Sequence, residues 1–307
     1  MPTEMPNAEL QGSDHDTDEF VSPARFAESF FASGTIDLEI EFGGATDRGK
    51  VRANNEDQFA IFRRRRATDV LRSSFGAVPV PEDVSYGVVV ADGIGGSHAG
   101  EVASRLAIQA MLELSGQATS WVMKLQDPTA QQIQERAEAY IQRVQETLLS
   151  FSRAMPPLAG MGTTWTSAQL LPPHAIVVHL GDSRAYLFHR GRLQQVTRDE
   201  TMAQAFIDSG ADPNTVRRFR KVLLNSLGGN QQSVVAQIHC IDFDPGDRLL
   251  LCTDGLYEMV AEDEIERALQ RDATSQEICD GLVRQALDAG GKDNVTVVLA
   301  AAKPAAS

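Results

Sequence analysis

The sequence predicts an α+β fold built on antiparallel sheets with helices packed outside them. Three observations carry this. Segments of strand composition follow one another directly more often than they alternate with helical ones, the order expected of antiparallel rather than doubly wound parallel sheets. One segment, "AYLFHRGRLQQV", reads as a hairpin turning at Arg190-Gly191. Helical signals are few beside the many short strand-like segments.

Along the chain, residues 1 to about 24 are polar, acidic and unpatterned, which predicts disorder. "ARFAESFFASG" follows. On a helix its Phe26, Phe30 and Phe31 would share one face, so residues 1–37 read as an acidic tail ending in a short docking segment. A compact domain is expected over 38–302. Its strands are read at "LEIEFGGATD", "DQFAIF", "SYGVVVAD", "GTTWTSAQLL", "AIVVHLGDSRAYLFHRGRLQQV", "SVVAQIHCID", "RLLLCTDG" and "NVTVVLAA". Between the second and third lies an insertion with four arginines at 63–66, read as a solvated hairpin loop. Apolar residues at helical spacing mark one helix through Ala103, Leu106, Ala107, Ala110 and Leu114. Ile133, Ala137, Ile141, Val144 and Leu148 mark a second. A third starts after Thr274, where "TSQE" spells a capping box, and stops at Gly290.

At 307 residues and 42% hydrophobic content, the chain is long enough to bury one large core. No apolar run approaches the ~20 residues of a membrane span, and the N-terminus lacks the regions of a signal peptide. Cys240, Cys252 and Cys279 are odd in number and far apart. They read as reduced thiols of a cytoplasmic protein, not as a disulfide frame or zinc site. The net charge of −14 argues against nucleic acid as a partner. Residues 1–39 hold nine acids and one base, so much of that charge sits in the tail.

Acidic residues recur at strand ends. Asp92 follows "VVVA", Asp254 follows "RLLLCT", Asp182 follows "AIVVHLG", Asp293 precedes "NVTVVLA", and Glu56-Asp57 precede "QFAIF". Each alone reads as a turn or cap residue, and Asp-Gly at 92–93 is a common hairpin signal. Taken together, carboxylates on neighbouring strand ends repel unless cations bridge them. An all-oxygen set suits Mg²⁺ or Mn²⁺ rather than Zn²⁺. Glycine after Asp92 lets the Gly93 carbonyl approach such a cation and leaves room for substrate. Arg52, just before Glu56-Asp57, offers a bidentate seat for phosphate; the plainer reading is a surface salt bridge. "GATDRGKV" fails as a nucleotide-binding loop because Val51 stands where Ser or Thr belongs. "GIGGSHAG" fails as a dinucleotide fingerprint at His98.

Six segments in order resemble the metal-dependent serine/threonine protein phosphatases of type 2C: "TDRGKVRANNED", "VVVADGIGGSHAGEVAS", "GMGTT", "HLGDSRAYL", "LLLCTDGLYEMV" and "GKDNVTVVL". The resemblance spans residues 41–300. It implies a four-layer α-β-β-α sandwich with a two-metal cleft at one end. It further implies that Asp92 bridges both Mg²⁺ or Mn²⁺ ions, with the Gly93 carbonyl on one and Asp254 and Asp293 on the other. Asp57 and Glu56 would orient metal-bound water, and Arg52 would take the phosphate. Water activated by the two metals then attacks phosphorus with no phosphoenzyme.

The chain departs from the family pattern in places. Ile94 stands where eukaryotic relatives often carry a histidine proposed as general acid; bacterial members often have an apolar residue there. Glu258 replaces the last Asp of a DGxxD pattern and could join Asp182 and Asp254 at a third metal site. "RFRKVLLNSLGG" occupies the place of the substrate-facing flap, with Asn225 where many relatives have Arg. His98 is expected to cap or pack at a helix start rather than point into the cleft. The resulting expectation is a Mg²⁺/Mn²⁺-dependent phosphatase acting on phosphoproteins made by a serine/threonine kinase. The rival is a catalytically weak relative that binds a phosphoprotein or kinase.

Overall fold

Alternating strands of Val, Leu and Ala make two faces of one sheet, and each face must find its own cover. The computed structural model describes residues 38–66, 83–95, 98–117, 130–171 and 173–304, and within these it shows two antiparallel sheets stacked face to face. The first sheet runs β1 (Leu38–Asp47), β12 (Val295–Pro304), β11 (Arg248–Cys252), β7 (Arg184–His189), β8 (Arg192–Gln195). In the second, β10 (Gln237–Asp242), β6 (His174–Leu180), β5 (Trp165–Leu171) and β3 (Asp83–Ile94) lie side by side, and β2 (Asp57–Arg66) pairs with β3. The last residues of β3 also pair with β4 (Gly162–Thr163), which pairs with β9 (Leu227–Gly228).

Side-chain alternation sorts the core into three layers. Val88 and Val90 of β3 face Leu249 and Leu251 of β11 between the sheets. Val89 and Ala91 turn outward onto helices α1 (Ala99–Gln117) and α2 (Ala130–Ala154), meeting Ala103, Ala107, Ile141, Val144 and Leu148. On the other side Leu250 and Cys252 face Ile278, Leu282 and Ala286 of α6 (Ser275–Asp288). The predicted α-β-β-α order is therefore observed. Leu282 is fully buried, and Leu282→Ala would cost about 2–5 kcal/mol in transfer and cavity terms.

Helix α6 begins as predicted. Thr274 Oγ1 accepts from Glu277 N at 3.2 Å, and Glu277 Oε2 accepts from Thr274 N at 2.9 Å. Gly290 follows it with φ 131°. The hairpin turn at Arg190-Gly191 has φ 49° and 83°, the double positive φ of a tight two-residue loop. Short helices α3 (Met202–Asp208), α4 (Asp254–Tyr257) and α5 (Glu262–Leu269) complete the described helices, with 3₁₀ turns at Pro156–Leu158 and Arg217–Phe219.

One expectation is corrected. The arginines at 63–66 are not in a loop: β2 continues to Arg66 and pairs with β3 back to Asp83. Cross-strand hydrogen bonds to β3 hold even this charged run extended. The tail, residues 1–37, lies outside the described residues, as do 67–82. Cys240, Cys252 and Cys279 are buried free thiols.

Candidate active site

The β2–β3 register places Asp57 opposite Asp92, both near one end of the sandwich. Asp92 is clamped by its backbone. Its N–H donates to Thr164 Oγ1 at 2.9 Å, while its carbonyl accepts from Thr164 N and Thr163 Oγ1, both at 2.9 Å. From the other sheet, Asp254 opens α4 directly after β11, and Asp293 stands just before β12. Asp182 lies between β6 and β7. Strand ends of both sheets thus deliver carboxylates to one cleft of about 700 Å³, whose lining includes Arg52, Asp92, Asp182, Lys221, Asp254 and Asp293. Asp57 sits behind this wall, buried, with Oδ2 accepting from Thr253 Oγ1 at 2.7 Å and Thr296 Oγ1 at 2.8 Å.

Burial and mutual repulsion act together on these acids. Desolvation, then the neighbouring Asp57, Asp254 and Asp182, push Asp92 well above the usual carboxylate range. Asp57 and Asp254 are raised for the same first reason, and Asp182 reaches about 8. Asp293 goes the other way. Burial pushes it up, but hydrogen bonds from Arg52 and Lys221 outweigh that and leave it below its ordinary value. Arg52 grips it with both ends, Nε to Oδ1 at 2.7 Å and Nη2 to Oδ2 at 2.8 Å. Lys221 Nζ lies 2.9 Å from Asp293 Oδ2, 3.3 Å from Asp254 Oδ2 and 3.5 Å from Glu258 Oε2.

Two buried carboxylate oxygens, Asp57 Oδ1 and Asp254 Oδ1, have no hydrogen-bond partner among the described residues. An unsatisfied anionic oxygen in a nest of other acids is costly, and a divalent cation satisfies it. The donor set is all oxygen, so the residues fit Mg²⁺ or Mn²⁺.

Neither Asp-Gly pair is a hairpin turn. Asp92-Gly93 stays within β3, and Asp254-Gly255 starts a helix. Close packing requires both glycines. A Cβ on Gly93 would lie 2.1 Å from Gly100 O, and one on Gly255 would lie 1.9 Å from Asn294 O. Glu56 stands on the cleft wall, its N–H donating to Asn294 Oδ1 at 2.8 Å. Asn294 Nδ2 also donates to the carbonyls of Arg48 and Asn54, so one amide pins the Arg52 loop to the start of β12. That loop leads into β2 rather than a helix, which excludes the nucleotide-binding loop. Ile94 lines the cleft at 38% exposure. His98 is exposed at the start of α1, with its carbonyl accepting from Val102 N, and is not part of the cleft wall. Asn225 Nδ2 donates to Val235 O at 2.7 Å, bracing its own loop. Sequence reasoning missed Lys221, Thr253 and Thr296. Only the position of Lys221 in the flap-like segment hinted at it.

Residues 74–293 match the family described as Protein phosphatase 2C. The chain is 31% identical over 256 residues to the serine/threonine phosphatase stp of Listeria monocytogenes serotype 4b, covering 83% of this chain and 92% of that protein. It superposes on the crystal structure of the Mycobacterium tuberculosis serine/threonine phosphatase PstP/Ppp with a TM-score of 0.69 and 31% identity, covering 87% of this chain and 99% of that one. The PstP catalytic domain in complex with two manganese ions superposes with a TM-score of 0.67, again at 31% identity and with the same coverage. With two sheets converging their carboxylates on one cleft, the chain belongs to the protein phosphatase 2C family of metal-dependent serine/threonine phosphatases.

Proposed function

We propose that Asp92, the Gly93 carbonyl, Asp254 and Asp293, with Asp57 behind them, hold two Mg²⁺ or Mn²⁺ ions for hydrolysis of phosphoserine and phosphothreonine in proteins. The observation that carries this is the pair of unsatisfied buried oxygens, Asp57 Oδ1 and Asp254 Oδ1, at an acid-lined cleft. When bound, the ions supply Lewis acidity that makes water a nucleophile at neutral pH and offsets phosphoryl charge.

The chain's own residues do the rest. Thr253 and Thr296 fix one oxygen of Asp57 and leave the other free to face a ligand. Arg52, half exposed at the rim, presents a planar fork that matches two phosphate oxygens as well as it matches Asp293. Ile94 donates no proton to an alkoxide leaving group, and His98 is off the cleft wall, so on this reading that proton is assigned to a water. Asp182 and Glu258, on the side of Asp254, are the candidates for a third, weaker ion.

The substrates are phosphoproteins made by a serine/threonine kinase. Three buried reduced thiols, and no described helix long and apolar enough to cross a membrane, support a cytoplasmic setting. Manganese-dependent turnover of a phosphothreonine peptide, abolished by EDTA, is the expected result. Saturable phosphopeptide binding without turnover would instead make the chain a binding module.

A further inference from the structure

A second cavity, of about 440 Å³, adjoins the cleft and shares Asp182 with it as a wall. Two pairs of chain neighbours straddle the boundary. Lys221 and Asp293 line the cleft, while Arg220 and Lys292, one residue before each, line the cavity. The segment that carries Arg220 and Lys221 is held in place. Val222 O accepts from Met202 N and Leu224 N donates to Glu200 O, both at 2.8 Å, and Leu223 bridges to Thr201.

Charge matching decides what this cavity accepts. Of its lining acids, Asp199 is held by Arg184 through two parallel bonds, Nε to Oδ1 and Nη2 to Oδ2, both at 2.8 Å. Glu258 lies 3.5 Å from Lys221, and Asp182 belongs to the carboxylates gathered at the cleft. Arg220 and Lys292 are exposed, and among the described residues neither forms an ion pair with a carboxylate. Arg217 and Arg218, just upstream in "RRFRK", are exposed and equally unmatched. On a chain of net charge −14, this is a local surplus of cations, and it attracts anions.

We propose that this cavity receives an anionic side chain of the substrate, a carboxylate or a second phosphate, within about three residues of the phosphoserine or phosphothreonine. Resting on the phosphatase reading above, the site adds to it a preference for acidic phosphopeptides. Continuity with the cleft selects the substrate chain as the source of the anion. An extended peptide advances ~3.3 Å per residue, and the members of each straddling pair are ~3.8 Å apart at Cα.

The test uses phosphothreonine peptides that differ at one flanking position, scanned over three residues on either side. That position carries glutamine, glutamate, lysine or the phosphonate analogue of phosphoserine. An anionic residue should raise kcat/KM about fivefold over glutamine, through KM and on one side of the phosphothreonine only, in line with two partly exposed ion pairs. A gain from glutamate and phosphonate alike marks a general anion site; a gain from phosphonate alone marks a phosphate site. The double variant Arg220→Gln/Lys292→Gln should erase the gain and leave turnover of the glutamine peptide and of p-nitrophenyl phosphate unchanged. A preference for lysine, no preference, or a gain that survives in the double variant would each overturn the proposal. Fluorescence anisotropy, with the phosphothreonine itself replaced by its phosphonate analogue, reads the same preference as affinity without turnover. Anion-dependent binding without hydrolysis of any phosphothreonine peptide would sink the phosphatase reading and keep the anion site, and hydrolysis without preference would do the reverse.

Discussion

Asp57 and Asp92 are direct cross-strand partners pointing into the space between the sheets, yet only Asp92 opens on the cleft. Asp57 lies deeper, where two threonine hydroxyls oppose the effect of burial on its charge. Removing both donors in Thr253→Val/Thr296→Val should leave Asp57 protonated and weaken Mn²⁺ binding by about tenfold or more, since hydrogen bonds to charged groups are worth ~1.5–3 kcal/mol each. Titration calorimetry with Mn²⁺ measures this. Unaltered affinity would reduce the hydroxyls to space-filling.

Asp92→Asn and Asp254→Asn should each lose most of the phosphatase rate with little loss of stability, because burial first, and then neighbouring acids, already penalise each charge, a gain that for Asp254 offsets its loss of the Lys221 contact. Asp293→Asn should lose the rate as well, and some stability with it, since it breaks the Arg52 and Lys221 contacts. Paired measurement of turnover and thermal midpoint separates these outcomes. A fully active variant removes that residue from the site.

Arg52→Ala should raise KM for a phosphorylated peptide more than it disturbs Mn²⁺ affinity, the pattern of a residue that holds substrate. Unchanged KM and kcat would leave Arg52 with only its salt bridge to Asp293.

Lys221 places its ammonium within 3.5 Å of three carboxylates, where it competes with any divalent cation for Asp254 and Asp293. Lys221→Met should therefore tighten Mn²⁺ binding several-fold, about fivefold for a partly exposed cation. Calorimetry again decides, and weaker binding in the variant would contradict the competition.

His179 offers a pH test at a residue that does not line the cleft. Its ring is fully buried. Nε2 faces the carbonyls of Gly181 and Arg198 at 3.0 and 3.2 Å, so Nε2 carries the proton and Nδ1 accepts from Thr166 Oγ1 at 2.8 Å. Desolvation lowers its pKa to about 4 from the ordinary 6.5. Between those values the unfolded chain binds the extra proton. The His179 contribution is thus complete above pH 6.5 and is lost as pH falls toward 4, by about 3 kcal/mol in all. Urea denaturation of the native chain and His179→Gln at pH 4.5 and 7 should show a smaller pH dependence in the variant. Equal slopes would rule the effect out.

Much of the architecture was legible because it rests on local patterns. The Val run of β3, the Leu run of β11, the Thr274 capping box and the positive-φ pair at Arg190-Gly191 are set by neighbours a few residues apart. Asp92, Asp254 and Asp293 were legible too, since each sits where a strand begins or ends. Tertiary structure alone decided which groups surround them. Thr253 and Thr296 reach Asp57 from 196 and 239 residues away, and Lys221 arrives at Asp293 from a segment with no pattern of its own. The need for glycine at 93 and 255 comes from backbone on other elements, Gly100 and Asn294. Strand pairing and sheet stacking bring such groups together, and neither leaves a periodicity in the sequence around them.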